Sequence, residues 1–179
     1  MKDNEEKRGF IFKITVIGDG AVGKTSLIKK YTKGSFQKDY IKTMGAQFSK
    51  YDEEIDDENC KLFFWDIAGQ DEWNFMRPTF YKGSKAAIIV FSHTNEDSFK
   101  NIPKWYEDIE KYCGDIPIVL FGNKKDLINE KDLDNKKVNK LVEDKGFLKY
   151  FNTSAKTGAG VYEGFQEIIK ELYFEYKDK

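Results

Sequence analysis

The sequence predicts an α/β fold: a mostly parallel six-stranded sheet with one antiparallel edge strand and helices on both faces. Short β-branched apolar runs alternate with segments of helical periodicity along the chain. Two of these runs, 86–91 and 116–121, show no polar alternation, as expected of strands buried on both faces of a parallel sheet. Two others, 46–55 and 61–67, lie so close on either side of the acidic Asp56-Asp57-Glu58-Asn59 that an antiparallel hairpin is expected.

Taken in order, residues 1–9 form a charged lead-in and 10–179 a single domain, long enough to bury a core without disulfides or metals. Phe10-Ile11-Phe12-Lys13-Ile14-Thr15-Val16-Ile17 reads as a buried strand. It enters a glycine-rich turn and then a helix over 24–33, with Leu27, Ile28 and Tyr31 on its apolar face. A polar stretch over 34–43 leads to the hairpin. Residues 68–83 read as loop plus a short helix. Phe99, Ile102, Trp105, Tyr106, Ile109 and Tyr112 recur at helical spacing, with Pro103 in that helix's first turn or at a kink. A lysine-rich helix over 135–144 and a strand over 148–152 precede the last helix. There Val161, Tyr162, Phe165, Ile168, Ile169, Leu172, Tyr173 and Tyr176 hold one face and are read as core.

Composition removes several function classes. The formal charge is −1, with no basic footprint for nucleic acid and no polybasic patch for an anionic membrane. Cys60 and Cys113 lack metal-site spacing and read as reduced thiols of a cytoplasmic protein. No apolar run is long enough to span a bilayer. Lys2 follows Met1 and the chain ends Tyr176-Lys177-Asp178-Lys179, so neither a myristoyl nor a prenyl anchor is expected.

Gly18-Asp19-Gly20-Ala21-Val22-Gly23-Lys24-Thr25 matches G-x-x-x-x-G-K-[ST] between a strand and a helix. Small residues let the backbone curl, so that successive N–H groups, on into Ser26, point at phosphates. The helix adds its unpaired N–H groups and positive end. Lys24 can reach the β- and γ-phosphates, and the Thr25 hydroxyl can ligate Mg²⁺. The same residues contain a G-x-G-x-x-G dinucleotide fingerprint, but that reading leaves Lys24 and Thr25 unexplained and finds no acidic partner at the end of a second strand. Trp65-Asp66-Ile67-Ala68-Gly69-Gln70 follows an apolar strand, and an acidic group at such a strand end is placed to help hold Mg²⁺. Gly69, without a side chain, lets its N–H approach a γ-phosphate oxygen.

With these motifs the chain resembles the Ras-superfamily small GTPases, a P-loop NTPase fold, over about residues 10–176. The resemblance implies that Asp-x-Ala-Gly-Gln opens switch II, with Gln70 orienting the attacking water and Asp66 holding Mg²⁺ through water. It implies that Thr43 ligates Mg²⁺ in the GTP state, and that Phe36 and Tyr40 cover the base and close over the phosphates. Asn123-Lys124-Lys125-Asp126 and Thr153-Ser154-Ala155-Lys156 resemble the family's N-K-x-D and S-A-K motifs. Guanine presents N1–H and N2–H₂ side by side, and one carboxylate accepts both, whereas adenine would leave Asp126 unpaired. The resemblance assigns Ala155 a backbone N–H to the guanine carbonyl. It packs the stems of Lys124 and Lys156 on the base plane and makes Asn123 the tie between loops.

The residues Thr43-Met44-Gly45-Ala46-Gln47-Phe48 and Trp65-Asp66 are most similar to the Rab branch, and with it to vesicle trafficking, although no prenylation cysteine accompanies them. Phe48, Trp65 and Phe80 fall where Rab-like proteins present an aromatic triad to effectors, with plain packing as the other reading. Asp71, Lys42 and the segment 72–78 depart from the usual pattern. Arg77 is read as a solvated residue of switch II rather than an arginine acting in cis. The implied function is a monomeric GTP/GDP switch, cytoplasmic and peripheral to membranes through partners. It would hydrolyse GTP slowly and be read by effector proteins, an exchange factor and a GAP. A GTP-binding module with little hydrolysis, and a P-loop kinase or ATPase, are the competing readings.

Overall fold

The computed structural model describes residues 9–33, 37–39 and 45–179, with only the backbone described for 37–39. Its elements in order are β1 (Gly9–Ile17), α1 (Lys24–Tyr31), β2 (Gln37–Asp39), β3 (Ala46–Ile55) and β4 (Glu58–Ile67), then α2 (Arg77–Tyr81), β5 (Ala86–Ser92), α3 (Glu96–Lys100), α4 (Ile102–Cys113), β6 (Ile118–Asn123), α5 (Asn135–Lys145), β7 (Lys149–Asn152) and α6 (Val161–Tyr176). The expected α/β architecture is present. The strand order is β2-β3-β4-β1-β5-β6-β7, parallel except where β3 runs against both of its neighbours. All six expected strands occur, and β2 adds a short seventh inside the stretch read as loop. Gln37-Lys38-Asp39 has no apolar alternation to announce a strand; its pairing comes from the backbone edge that β3 offers.

The hairpin is tighter than the four-residue acidic turn suggests. Ile55 pairs directly with Glu58, leaving Asp56 and Asp57 at φ 51° and 65°, the left-handed pair that a two-residue turn matched to strand twist requires. Pro103 stands in the first turn of α4, where its missing N–H costs nothing, and Asn101 separates that helix from α3. The Asn95 side chain caps α3 by accepting from the N–H groups of Asp97 and Ser98.

Alternate residues of the central strands feed two cores. Phe12, Ile14, Val16, Ile88, Val90 and Phe121 pack under α1 and α6 on one face. Ile17, Ile67, Ile89, Phe91 and Leu120 pack on the other face with Phe80 and Tyr81 of α2, Trp105 and Ile109 of α4, and Val138 of α5. Every residue of β5 and β6 is buried. On α6 the expected core face is corrected at Tyr162, which is exposed because it lies one position off the stripe of Val161 and Phe165. From β1 the chain crosses to one edge and returns through β3 and β4, then builds β5, β6 and β7 on the other side, so the turn after β1 lies at the switch point, where α/β sheets bind ligands at strand carboxyl ends.

Candidate functional site

The turn after β1 and the ends of β4 and β6 share a cleft of about 550 Å³. Gly20, Ala21, Gly23, Lys24, Thr25 and Ser26 line it from the β1–α1 turn, Asp66, Gly69 and Gln70 from the end of β4, and Lys124 from the end of β6. Gly23 begins α1 at φ 102°, and a Cβ there would collide with Asn123 Nδ2, so both backbone sign and space demand glycine. Gly69 lies against the phosphate loop so closely that a Cβ would strike the backbone of Asp19 and Gly20. Val22 contributes its backbone alone, since its side chain is buried in the core.

At the phosphate end, Lys24 is 7% exposed and donates to the carbonyls of Gly18 at 2.9 Å and Asp19 at 2.8 Å. Burial lowers its pKa against the pull of Asp66 and Asp19, with Arg77 lowering it further. Asp66 is 8% exposed, and its Oδ2 accepts the Thr25 hydroxyl. Burial raises the Asp66 pKa, opposed by that hydrogen bond and by Lys24. A hydroxyl oxygen and a buried carboxylate, side by side, fit a hard divalent cation such as Mg²⁺. Among the described residues no cluster of three or more acidic, His or Cys side chains forms a self-sufficient metal cage.

Gln70 is exposed, and its Nε2 lies 3.9 Å from the position a Cβ on Gly20 would take, so the side chain faces the phosphate loop. Its backbone carbonyl accepts from Arg77 Nη2 at 3.0 Å. Here the sequence reading is corrected: Arg77 is not a solvated surface residue but 3% exposed, its guanidinium 4.4 Å from the centroid of the Trp105 ring. The reason is tertiary, because α2 and α4 close over one another and bring both residues into the packed face.

At the base end, Asn123 is 1% exposed and ties three segments together. Its Nδ2 donates to the Val22 carbonyl at 2.9 Å, and its Oδ1 accepts from Thr153 Oγ1 and from the Ala155 N–H, both at 3.2 Å. The Ala155 N–H therefore serves Asn123. Lys124, at φ 65°, sends Nζ to the Ala21 carbonyl at 2.7 Å, bridging the base loop to the phosphate loop. Asp126 is exposed and its Oδ1 accepts from Ser154 Oγ at 2.7 Å, while Lys156 is exposed beside them.

Phe36, Tyr40 and Thr43 lie outside the described residues. Phe48, Trp65 and Phe80 form a continuous row, with ring centroids 5.4 Å and 5.7 Å apart. Phe48 and Trp65 are half-buried, whereas Phe80 is 6% exposed and supports the other two from beneath. Sequence reasoning missed Asp19, whose carboxylate accepts from Trp105 Nε1 at 2.8 Å and from Asn101 Nδ2 at 2.7 Å. The available signal was that a buried indole N–H requires an acceptor.

Comparison with known proteins agrees with this geometry. The Ras family model matches residues 13–174. The chain is similar to the Ras-related protein Rab-1D of Dictyostelium discoideum, 34% identical over 164 residues, covering 91% of this chain and 80% of the relative. It is also similar to the Ras-related protein Rab-5A of the same organism, 35% identical over 170 residues, covering 94% of this chain and 84% of the relative.

Proposed function

Because the chain belongs to the Ras family, on its Rab-like side, we propose that it is a GTP/GDP switch that hydrolyses GTP slowly and presents a nucleotide-dependent surface to effector proteins. One observation carries the reading. Lys24, Thr25, Asp66 and Gln70 line a single cleft, and Asn123 and Lys124 bond it directly to the loop bearing Asp126.

In this reading the backbone N–H groups of the turn from Gly20 through Ser26 cradle the phosphates, and Lys24 exchanges its loop carbonyls for phosphate oxygens. Thr25 and Asp66 hold Mg²⁺, joined by Thr43 in the GTP state. When bound, that ion offsets charge on the β- and γ-phosphates. Gln70 orients a water for in-line attack on the γ-phosphate. With Arg77 committed elsewhere and no arginine supplied in trans, turnover is on the order of 10⁻⁴ to 10⁻³ per second, rising with a GAP.

Asp126, oriented by Ser154, accepts N1–H and N2–H₂ of guanine. Lys124 and Lys156 flank the base, and Phe36 and Tyr40 close the site. Phe48 and Trp65, backed by Phe80, form the effector surface. An exchange factor completes the cycle, and the protein works as a monomer, cytoplasmic and peripheral to membranes through its partners. Among the described residues, no helix is long and apolar enough to cross a membrane.

The purified protein is expected to retain guanine nucleotide. Asp126→Asn should lose GTP affinity by about 1–3 kcal/mol, roughly fivefold to 150-fold, and gain preference for xanthine nucleotides. Competition binding with GTP, XTP and ATP checks this. Unchanged selectivity in the variant would remove Asp126 as the base reader, and ATP competing as well as GTP would favour a kinase or ATPase.

A further inference from the structure

Arg77 and Arg8 are the two arginines of the chain, and Arg77 begins α2 in a buried position. Its guanidinium is engaged twice: Nη2 donates to the Gln70 carbonyl at 3.0 Å, and its flat face lies 4.4 Å from the centroid of the Trp105 ring. Trp105 is itself bound to the phosphate loop, since Nε1 donates to Asp19 Oδ1 at 2.8 Å. Asn101, at the start of α4, holds the other oxygen of the same carboxylate at 2.7 Å. One indole thus joins two loops that meet at the γ-phosphate position. Its N–H grips the phosphate loop, and its ring face grips the arginine that grips Gln70.

We propose that Arg77 is a positioning residue for Gln70, anchored to the phosphate loop through Trp105 and Asp19, so that hydrolysis depends on it and nucleotide binding does not. The proposal rests on the GTPase reading above. Filling space between α2 and α4 does not require a cation, because apolar residues pack such a site without the desolvation cost of a guanidinium. What an arginine adds is a planar donor aimed at one carbonyl. Gln70 stands at φ −73° and ψ 141°, immediately before the short 3₁₀ turn Asp71–Trp73. Holding its carbonyl holds the peptide plane, and with it the direction in which the side chain leaves toward Gly20. A geometric error of about 1 Å at such a group can cost on the order of 10² in rate. Arg77 therefore acts through Gln70 and touches no reacting atom.

The test is a double-variant cycle in single-turnover hydrolysis on GTP-loaded protein, with GDP release measured alongside. Arg77→Met keeps the aliphatic stem and removes the donor. It should slow hydrolysis by about tenfold, by the cost of misplacing one group, and leave GDP release unchanged. In a Gln70→Leu background the same substitution should add nothing, because both changes act on the same water. Equal slowing in both backgrounds would make Arg77 a general support of the domain and overturn the proposal, as would an unchanged rate in the otherwise wild-type protein.

If Arg77→Met does not fold, Trp105→Phe decides by the same cycle. It keeps a ring for the guanidinium and loses the bond to Asp19, so hydrolysis should slow by about threefold, only where Gln70 is present. A wild type that binds GTP without turnover, or turns over as Gln70→Leu does, removes the GTPase reading itself and is thereby distinguished from failure of this inference alone.

Discussion

The two ends of the cleft treat charge in opposite ways. At the phosphate end, Lys24 and Asp66 are withdrawn from water, at 7% and 8% exposure, and each is bonded within the protein. At the other end the carboxylate proposed to read the base, Asp126, is exposed, and the buried group is a neutral amide, Asn123. Charge in a buried site is strong but must be compensated, so the phosphate end suits binding and catalysis of an anion that enters with its own cation. A neutral buried frame costs little and holds its shape, so the base end suits selection between purines.

The largest effect that would sharpen this comparison is at Lys24. Lys24→Met deletes a buried cation that faces the proposed phosphate position, a loss of about 3 kcal/mol or roughly a hundredfold in nucleotide affinity. It should fall on GTP and XTP alike, which equilibrium binding reads. Ser154→Ala removes one neutral donor to an exposed carboxylate, which is worth about 1 kcal/mol, or roughly fivefold, and should fall on guanine nucleotides selectively. Equal losses from the two substitutions would break the comparison.

The smallest effect concerns His93, the one histidine, whose backbone N–H donates to the Asn123 carbonyl. Its Nε2 lies 2.9 Å from Asn152 Oδ1, beside the Tyr150 hydroxyl. Burial holds its pKa below the ordinary value. The bonds from Asn152 and Gly122 oppose that shift, and Lys125 adds to it. Below about pH 6.5 the unfolded chain therefore binds a proton that the folded chain does not. The stability His93 contributes is present above that pH and is lost as pH falls toward the lowered folded value. Denaturant midpoints from about pH 7.5 to 5.5 should show this slope in the wild type and its loss in His93→Gln. GTP affinity of the folded protein at the phosphate end should not follow it.

Much of this site was legible because its motifs are local. Gly18 through Thr25 reads as a phosphate turn, since the glycines, the lysine and the hydroxyl form one local pattern. Asp66 and Asn123 were readable as strand-end residues because the apolar runs before them are unambiguous. The bond from Lys124 to Ala21, the clasp of Asp19 by Trp105 and Asn101, and the burial of Arg77 were not. Each joins elements far apart in the chain, and no spacing rule reports which helix will close over which loop. Strand β2 escaped notice for a related reason, as its pairing depends on a neighbour's backbone and not on its own side chains.

The order of strands and helices, the residues proposed to meet phosphate and purine, and the glycines packed tightly among them were written in the linear pattern, because hydrophobic periodicity and turn chemistry act over a few residues. Which charges lose their water, and which side chain steadies Gln70, was settled only by folding. Desolvation and donor direction are properties of a packed interface, and that interface exists only once α2 and α4 lie together on the sheet.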